Sequence, residues 1–209
     1  MPDTPENREL YPQPSGQKPG CGFPVARLTV MFCLASGVVL AHAKAALGIS
    51  ERALFRALWD RLEQGDVVLA DRGFCSYAEM HMLSQLGVDC VMRKNARRGK
   101  TSLIQRRLGK SDLLMLWFKT GVRPQWIDDE SWRALPNTLC MREITVEIDT
   151  PGFRTQRVIV ATTLLDPKAF PKNTFAELYR RRWSAELFLR DLKTTMGMEA
   201  LRCKTPDMA

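Results

Sequence analysis

The chain has 209 residues, of which 45% are hydrophobic and 26% charged, and its net charge is +8. A chain of this size and composition buries a sizeable core, which excludes general disorder. The longest uncharged run, 28–43, is shorter than a bilayer span, and the opening residues are too polar and proline-rich for a secretory signal.

The elements predicted in the first half of the chain follow an α/β order. Apolar runs bounded by turn residues predict strands, and leucines four residues apart predict an amphipathic helix capped by Ser50. The antiparallel strands come first and the parallel ones after. In chain order we expect an arm at 1–24, a β-hairpin at 25–35 and 38–43, a helix at 50–63, a buried strand at 66–71, a helix at 76–86 and a buried strand at 88–93.

The second half of the chain begins with residues 94–140, which are irregular in pattern and rich in basic residues. Strong alternation then predicts strands at 141–149 and 154–162, with a turn at Thr150-Pro151-Gly152 between them. A long helix follows near 173–196. We therefore expect a β-rich insertion before the last helix.

The excess positive charge lies in one stretch, 93–110, called the basic segment here. It holds eight Lys and Arg residues and no Asp or Glu, while the remaining 23 basic residues equal the 23 acidic ones. Two interpretations stay open: a solvated basic loop, or a surface that follows the phosphates of a nucleic acid. The scarcity of aromatic residues in the segment argues against single-strand stacking as its main role.

The six cysteines are scattered, with no CxxC pair, and the chain has two histidines. This pattern argues against a zinc site. In the absence of a secretory signal, we expect reduced thiols in a cytosolic protein.

Asp71 stands at the carboxyl end of the apolar strand "VVLAD". A carboxylate at this place faces the crevice where α/β sheets bind ligands. The alternative is an Asp that ends the strand and caps the following turn, and "DRG" suits that structural role.

The long helix places four functional residue types on one stripe. Tyr179, Arg182, Glu186 and Lys193 are three, four and seven residues apart, which at about 100° per residue keeps them within roughly 60° of arc. We call these four residues the site row. The alternative is a salt-bridged surface helix, which fits the charges and gives the tyrosine no role.

Together the strand end and the helix suggest metal-dependent phosphodiester chemistry. Carboxylates bind Mg²⁺, and bound metal activates water or a 3′ hydroxyl. Arg182 and Lys193 can hold phosphates, the first through a bidentate fork and the second as a point charge, and Tyr179 can donate to a phosphate.

Several motifs of the sequence resemble those of a known family. "YRRRWSAELFLRDLK" matches the Y-x2-R-x3-E-x6-K signature of bacterial insertion-sequence transposases of the DDE type. "GDVVLADRGFCSY" resembles the segment around their second catalytic Asp. "TTLLDPKAFPKNTFAELYRRRW" and "MGMEALRCKTPDM" resemble the flanks of their catalytic Glu, and "PDTPENRELYPQPSGQKPGCGFPVARL" is similar to the stretch after their first catalytic strand.

The resemblance implies an RNase H-like catalytic core at 25–93 and 164–209, with a β-rich insertion at 94–163. It implies DNA cleavage and strand transfer with Mg²⁺ (or Mn²⁺), on transposon ends and target DNA, by a homodimer on the DNA of a bacterial nucleoid. By position, Asp71 and Glu186 would be the catalytic metal ligands. The expected DNA-contacting residues are Tyr179, Arg182, Lys193, Arg93, Lys94, Arg97, Arg98, Lys100, Arg106 and Arg107.

One departure from the family concerns its first catalytic Asp. That residue ends an apolar strand just before the "PDTPEN" segment, whereas Asp3 lies in a proline-flanked stretch and is not assigned to the role. We therefore expect a fragment that lacks the first strand and its Asp and is inactive or very weakly active. The alternatives are a non-catalytic DNA-binding remnant and a different RNase H-like nuclease.

Overall fold

A computed structural model describes residues 1–18, 20–95, 101–148, 156–198 and 200–208. Two short 3-10 turns, Trp59–Arg61 and Pro206–Met208, accompany the regular elements. In chain order the helices and strands are α1 (Pro5–Leu10), β1 (Ala26–Phe32), β2 (Val39–Ala46), α2 (Glu51–Arg56), β3 (Val67–Ala70), α3 (Tyr77–Gln85), β4 (Asp89–Arg93), β5 (Ser102–Gly109), β6 (Asp112–Phe118), α4 (Asp129–Ala134), β7 (Thr138–Ile148), β8 (Gln156–Thr162) and α5 (Lys172–Thr194).

The chain forms two compact units. One unit is Leu62–Arg182, called the sheet unit here, and the other combines Met1–Arg61 with Trp183–Ala209 and is called the hairpin unit. The boundary falls inside α5, so this helix contributes its first half to the sheet unit and its second half to the hairpin unit.

The sheet unit contains a six-stranded mixed sheet in the order β3-β4-β8-β7-β6-β5. Strands β3 and β4 are parallel and are connected through α3, while the other neighbours are antiparallel. Ser76 is the N-cap of helix α3: its hydroxyl oxygen accepts from the Glu79 amide, and the hydroxyl donates to the Glu79 carboxylate at 2.7 Å. The α/β class expected from the sequence is confirmed.

One core cluster of the sheet unit lies between the sheet and the first half of α5. Alternation places the apolar side chains of β7 and β8 on one face, where Ile144 pairs with Val160 and Val146 with Val158. Phe175, 1% exposed, packs onto this face from α5. The remaining buried members of the cluster are Val91, Leu164 and Tyr179.

Two ion pairs are buried in the same sheet. The Arg142 guanidinium donates to both carboxylate oxygens of Asp112 at 2.9 and 2.7 Å, and also to the Phe170 carbonyl at 2.7 Å. The Glu143 carboxylate accepts from the Lys94 ammonium at 2.6 Å and from the Trp117 indole at 2.7 Å. Each of these carboxylates is therefore matched both in charge and in hydrogen bonding, as burial requires.

The hairpin unit is organised around the antiparallel pair β1–β2. Its turn needs a glycine at Gly37, where φ is +75° and a Cβ would lie 3.0 Å from the ring of Phe188. The ring centroid of Phe188 is 5.5 Å from that of Phe32 on β1. Asn7, fully buried on α1, donates to the Cys203 carbonyl at 3.0 Å and so connects the two ends of the unit.

Several elements match their sequence predictions closely. The hairpin is antiparallel, β3 and β4 are parallel, and the long helix expected at 173–196 spans Lys172–Thr194.

None of the helices in the described part of the chain is long and apolar enough to cross a bilayer.

Other elements differ from their predictions. The helix expected at 50–63 ends at Arg56 and continues only as a 3-10 turn. No single strand or helix was placed within the stretch 94–140, which was expected to belong to a β-rich insertion and contains β5, β6 and α4. Strand β5 was not predicted, because it lies at the edge of the sheet with its side chains mostly exposed on both faces, and its sequence therefore does not alternate between apolar and polar residues.

Candidate functional site

The carboxylate of Asp71 lies directly after β3, at the carboxyl end of that strand. Its Oδ1 accepts from the Arg72 amide at 2.8 Å and from the Tyr179 hydroxyl at 3.4 Å. Oδ2 makes no hydrogen bond with the described residues. The side chain is half-buried, so one carboxylate oxygen is oriented by the protein and the other is available to a ligand.

Tyr179 reaches Asp71 from the first half of α5, where only 3% of it is exposed. Burial raises the pKa of its hydroxyl to about 12, because the phenolate would lose its hydration there. The nearby positive charge of Arg182 opposes this rise, and the negative charge of Asp71 adds to it. At neutral pH Tyr179 is therefore a neutral donor aimed at the carboxylate.

Two arginines complete this cluster in the sheet unit. The guanidinium of Arg182 lies 5.6 Å from the ring centroid of Tyr179, a cation–π distance. Arg93, the last residue of β4, is close enough for its charge to lower the Tyr179 pKa. The sheet unit thus brings together four residues from three places: Asp71 after β3, Arg93 at the end of β4, and Tyr179 and Arg182 on α5.

The other arginines of the "RRR" run face elsewhere. Arg180 and Arg181 both form ion pairs with the exposed carboxylate of Glu177, at 2.5 and 3.6 Å. Arg182 alone stacks on Tyr179. The three consecutive arginines therefore belong to two separate groups, as helical periodicity requires for neighbours about 100° apart.

Glu186 and Lys193 lie on the second half of α5, in the hairpin unit. Both are exposed. Glu186 follows Arg182 by one helical turn, so it continues the same stripe of the helix. The structure therefore places all four members of the site row on one continuous helix, and two of them in the sheet unit.

The basic segment has varied environments. Lys94 is 10% exposed and its charge is matched by Glu143, whereas Arg106 and Arg107 are exposed on the edge strand β5. Arg97, Arg98 and Lys100 lie outside the described residues. Of the predicted contacts in this segment, Arg106 and Arg107 thus have open access to a ligand.

Two carboxylates named above, those of Asp71 and Glu186, have the ligand chemistry that a divalent cation needs. Asp71 and Glu186 offer carboxylate oxygens, the ligand type that Mg²⁺ and Mn²⁺ prefer, and Mg²⁺ is commonly held by one or two carboxylates together with water and phosphate oxygens. Within the described residues no group of three or more His, Cys, Asp or Glu side chains comes together. Each of these two carboxylates, taken by itself, is the ligand type that such an ion binds.

Sequence reasoning missed the pairing of Lys94 with Glu143 and the partnership of Arg93 with Tyr179. The first was hidden because the partners are 49 residues apart in the chain. The alternation in "MREITVEI" puts Glu143 on the face opposite to Ile144 and Val146, and only the registers of β4, β8 and β7 bring it to Lys94.

Comparison with known proteins identifies the family of the chain. A family model described as "Transposase DDE domain" matches residues 4–209. The chain belongs to this transposase DDE-domain family.

A named relative is similar to the chain over nearly its whole length. It is the transposase InsG for insertion sequence element IS4 of Escherichia coli (strain K12), with 28% identity over 210 residues. The match covers 99% of this chain and 45% of the relative, so the chain spans about half the length of that transposase.

Proposed function

We propose that the chain is the catalytic part of an insertion-sequence transposase, which binds transposon-end and target DNA and acts in metal-dependent DNA cleavage and strand transfer. The observation that carries the proposal is the approach of Tyr179 to Asp71. These residues come from two motifs 108 positions apart, and the Tyr179 hydroxyl lies 3.4 Å from the Asp71 carboxylate. The family membership and the similarity to an insertion-sequence transposase support the same function.

In the proposed mechanism Asp71 and Glu186 hold the metal. Bound Mg²⁺ or Mn²⁺ supplies charge stabilisation and a more acidic water or hydroxyl. The Arg72 amide and the Tyr179 hydroxyl orient the Asp71 carboxylate, as outer partners orient metal ligands elsewhere. Arg182 and Lys193 bind phosphates near the reacting bond, with Arg93 and the exposed arginines of β5 on the flanking DNA.

The RNase H-like arrangement is part of this proposal. It is supported by the element order, an antiparallel hairpin followed by the parallel β3-α3-β4 unit, and by the position of Asp71 at the carboxyl end of β3. Within the described residues β3 pairs only with β4. In such an arrangement a further strand carrying a third acidic residue would lie beside β3, and dimerisation on DNA follows from the same resemblance.

We expect the 209-residue chain alone to bind metal and DNA but to cleave DNA poorly. The family chemistry uses three acidic residues, and the described residues bring no three such groups together. Phosphodiester cleavage depends on charge stabilisation by a complete metal site, so loss of one carboxylate lowers the rate severely.

Metal binding can test the two proposed ligands directly. The affinity for Mn²⁺ is measured by electron paramagnetic resonance for the parent chain and for the Asp71→Asn and Glu186→Gln variants. Each substitution should weaken binding by at least about tenfold, since even outer partners of metal ligands cost 10- to 100-fold. Glu177→Gln is the matched control, because Glu177 is an exposed glutamate on the same helix whose partners are Arg180 and Arg181.

Two outcomes would contradict parts of the proposal. Equal Mn²⁺ affinity in the parent and both ligand variants, with DNA binding retained, would leave the non-catalytic DNA-binding alternative. Robust Mg²⁺-dependent cleavage of end-sequence DNA that disappears in Glu186→Gln would support the ligand assignment and show that the chain alone is active.

A further inference from the structure

A cavity of about 700 Å³ lies in the sheet unit, outside the cluster around Asp71. Its walls are the turn between β5 and β6, the end of β7 with the facing start of β8, and the first turn of α5. Three basic side chains line it, one from each wall: Lys110 from the turn, Arg157 from β8 and Lys172 from α5.

The turn that forms one wall is held firmly in place. Ser111 has φ +60°, a left-handed conformation that costs energy in a residue other than glycine. Its carbonyl accepts from the Thr145 amide at 2.9 Å, and the Lys110 carbonyl accepts from the Lys172 ammonium at 2.8 Å. The turn is thus tied to β7 and to α5, which fixes the base of the Lys110 side chain at the cavity.

The charge around the cavity is not balanced by its walls. Glu147 is the acidic residue of the lining, against three basic ones. The side chains of Lys110 and Arg157 are exposed and form no ion pair with the described residues, whereas Arg142 and Lys94 in the same unit are each matched by a carboxylate. The first turn of α5 has no acidic residue, so its positive helix end adds to the excess.

The basic surface also continues beyond the cavity. Arg106 and Arg107 are exposed on β5, the strand that leads directly into the turn at Lys110. A single inorganic phosphate would use the cavity alone. A polyanion would use the cavity and the arginines of β5 together, which favours an extended partner.

We propose that this cavity binds a phosphodiester group of duplex DNA and forms, with Arg106 and Arg107, a DNA-contacting surface separate from the metal ligands. The guanidinium of Arg157 suits a phosphate as a bidentate fork, and Lys110 and Lys172 act as point charges. Ser111, Thr145 and Asn173 provide polar groups at the same walls. The inference depends on the proposed DNA binding but not on the proposed metal site.

The test measures duplex affinity as a function of salt. A fluorescent 30-base-pair duplex is titrated with the full chain in EDTA, by anisotropy at several NaCl concentrations, for the parent and for the Lys110→Gln/Arg157→Gln variant. Loss of two phosphate contacts should lower affinity about tenfold near 0.1 M salt and reduce the slope of log K against log [salt] by roughly 1.8. Neither side chain supports the fold through described contacts, so the melting temperature should hold.

The matched control is Arg133→Gln/Lys168→Gln, which removes the same charge from exposed positions of the sheet unit that do not line the cavity. An equal loss of affinity in the control and cavity variants would overturn the proposal and leave only a net-charge effect. Inorganic phosphate is tested in parallel by thermal shift. Stabilisation of the parent by millimolar phosphate, lost in the cavity variant while duplex affinity is unchanged, would identify a free-phosphate site and overturn DNA as the occupant.

Failure of this inference can be separated from failure of the proposed function. If the parent binds duplex and the cavity variant binds equally well, only the cavity proposal fails. If the parent binds no duplex at any salt concentration, the cavity proposal and the proposed DNA binding both fail, while the Mn²⁺ experiment still tests Asp71 and Glu186.

Discussion

The two halves of α5 differ in how the protein holds their side chains. The half at 172–182 buries Phe175 and Tyr179 in the core of the sheet unit. The structure describes every residue of the half at 183–194, and none is buried; Trp183 is 47% exposed. One helix therefore carries a donor fixed by core packing and, further on, exposed charges at Glu186 and Lys193 that remain accessible to ligands.

The largest predicted effect concerns the buried Arg142–Asp112 ion pair, whose arginine also contacts the residues at the start of α5. Arg142→Met leaves the carboxylate of Asp112 buried without its partner and removes the hydrogen bond to the Phe170 carbonyl, just before α5 begins. It also removes a cation–π contact with Phe175 at 5.2 Å. We expect a loss of about 3–5 kcal/mol in the free energy of unfolding, measured by urea titration with circular dichroism.

A double variant checks the cause of that loss. Arg142→Met combined with Asp112→Leu removes both charges, so no unpaired carboxylate is left in the core. Its stability should recover much of the loss, since apolar replacements of a buried ion pair are often close to neutral. A double variant as unstable as the single one would show that Arg142 acts mainly through the Phe170 carbonyl and the Phe175 ring.

The second prediction compares the two halves with the same substitution. Phe175→Ala empties a site that is 1% exposed and should cost about 3–4 kcal/mol. Phe188→Ala, in the second half, removes a half-buried ring that contacts Phe32, and should cost about 1–2 kcal/mol. Urea titrations of both variants measure the two losses in the free energy of unfolding. Equal losses would show that the two halves of α5 are packed equally well.

The sequence predicts correctly those helices and strands that are marked by a pattern of neighbouring residues. The first half of α5, β3 and the β1–β2 hairpin have apolar runs or periodic spacing bounded by turn residues, so the prediction and the structure agree. The approach of Tyr179 to Asp71 was also foreseeable, because a strand end and a helix stripe each carried an unexplained polar group. The roles given to these residues stay predictions.

Features that depend on long-range pairing were not visible in the sequence. Arg142 and Asp112 are 30 residues apart, and only the β6–β7 register brings them together. The cavity residues Lys110, Arg157 and Lys172 come from three elements, and each is an ordinary surface cation when viewed locally. Strand β5 was missed because both of its faces are largely exposed, which removes the alternation that identifies a strand.

The smallest predicted effect tests whether core packing, rather than the site, sets the properties of Tyr179. The pKa of its hydroxyl is raised to about 12 in the fold, against about 10 in an unfolded chain, so the folded state holds the proton more tightly. The resulting stabilisation is present below about pH 10 and is lost as the pH rises from about 10 to 12. Tyr179→Phe keeps the ring and removes this titration.

At pH 7 Tyr179→Phe should change stability by no more than about 1 kcal/mol, since the hydroxyl contributes one long hydrogen bond to Asp71. The decisive quantity is the difference in unfolding free energy between the parent and the variant, measured from pH 8 to pH 11.5. This difference should shift in favour of the variant above pH 10, because there the phenol ionises in the unfolded parent while the buried phenol of the folded parent keeps its proton. A difference independent of pH would mean that the Tyr179 hydroxyl is hydrated in solution, and the first half of α5 would then be as open at this position as the second half is at Glu186.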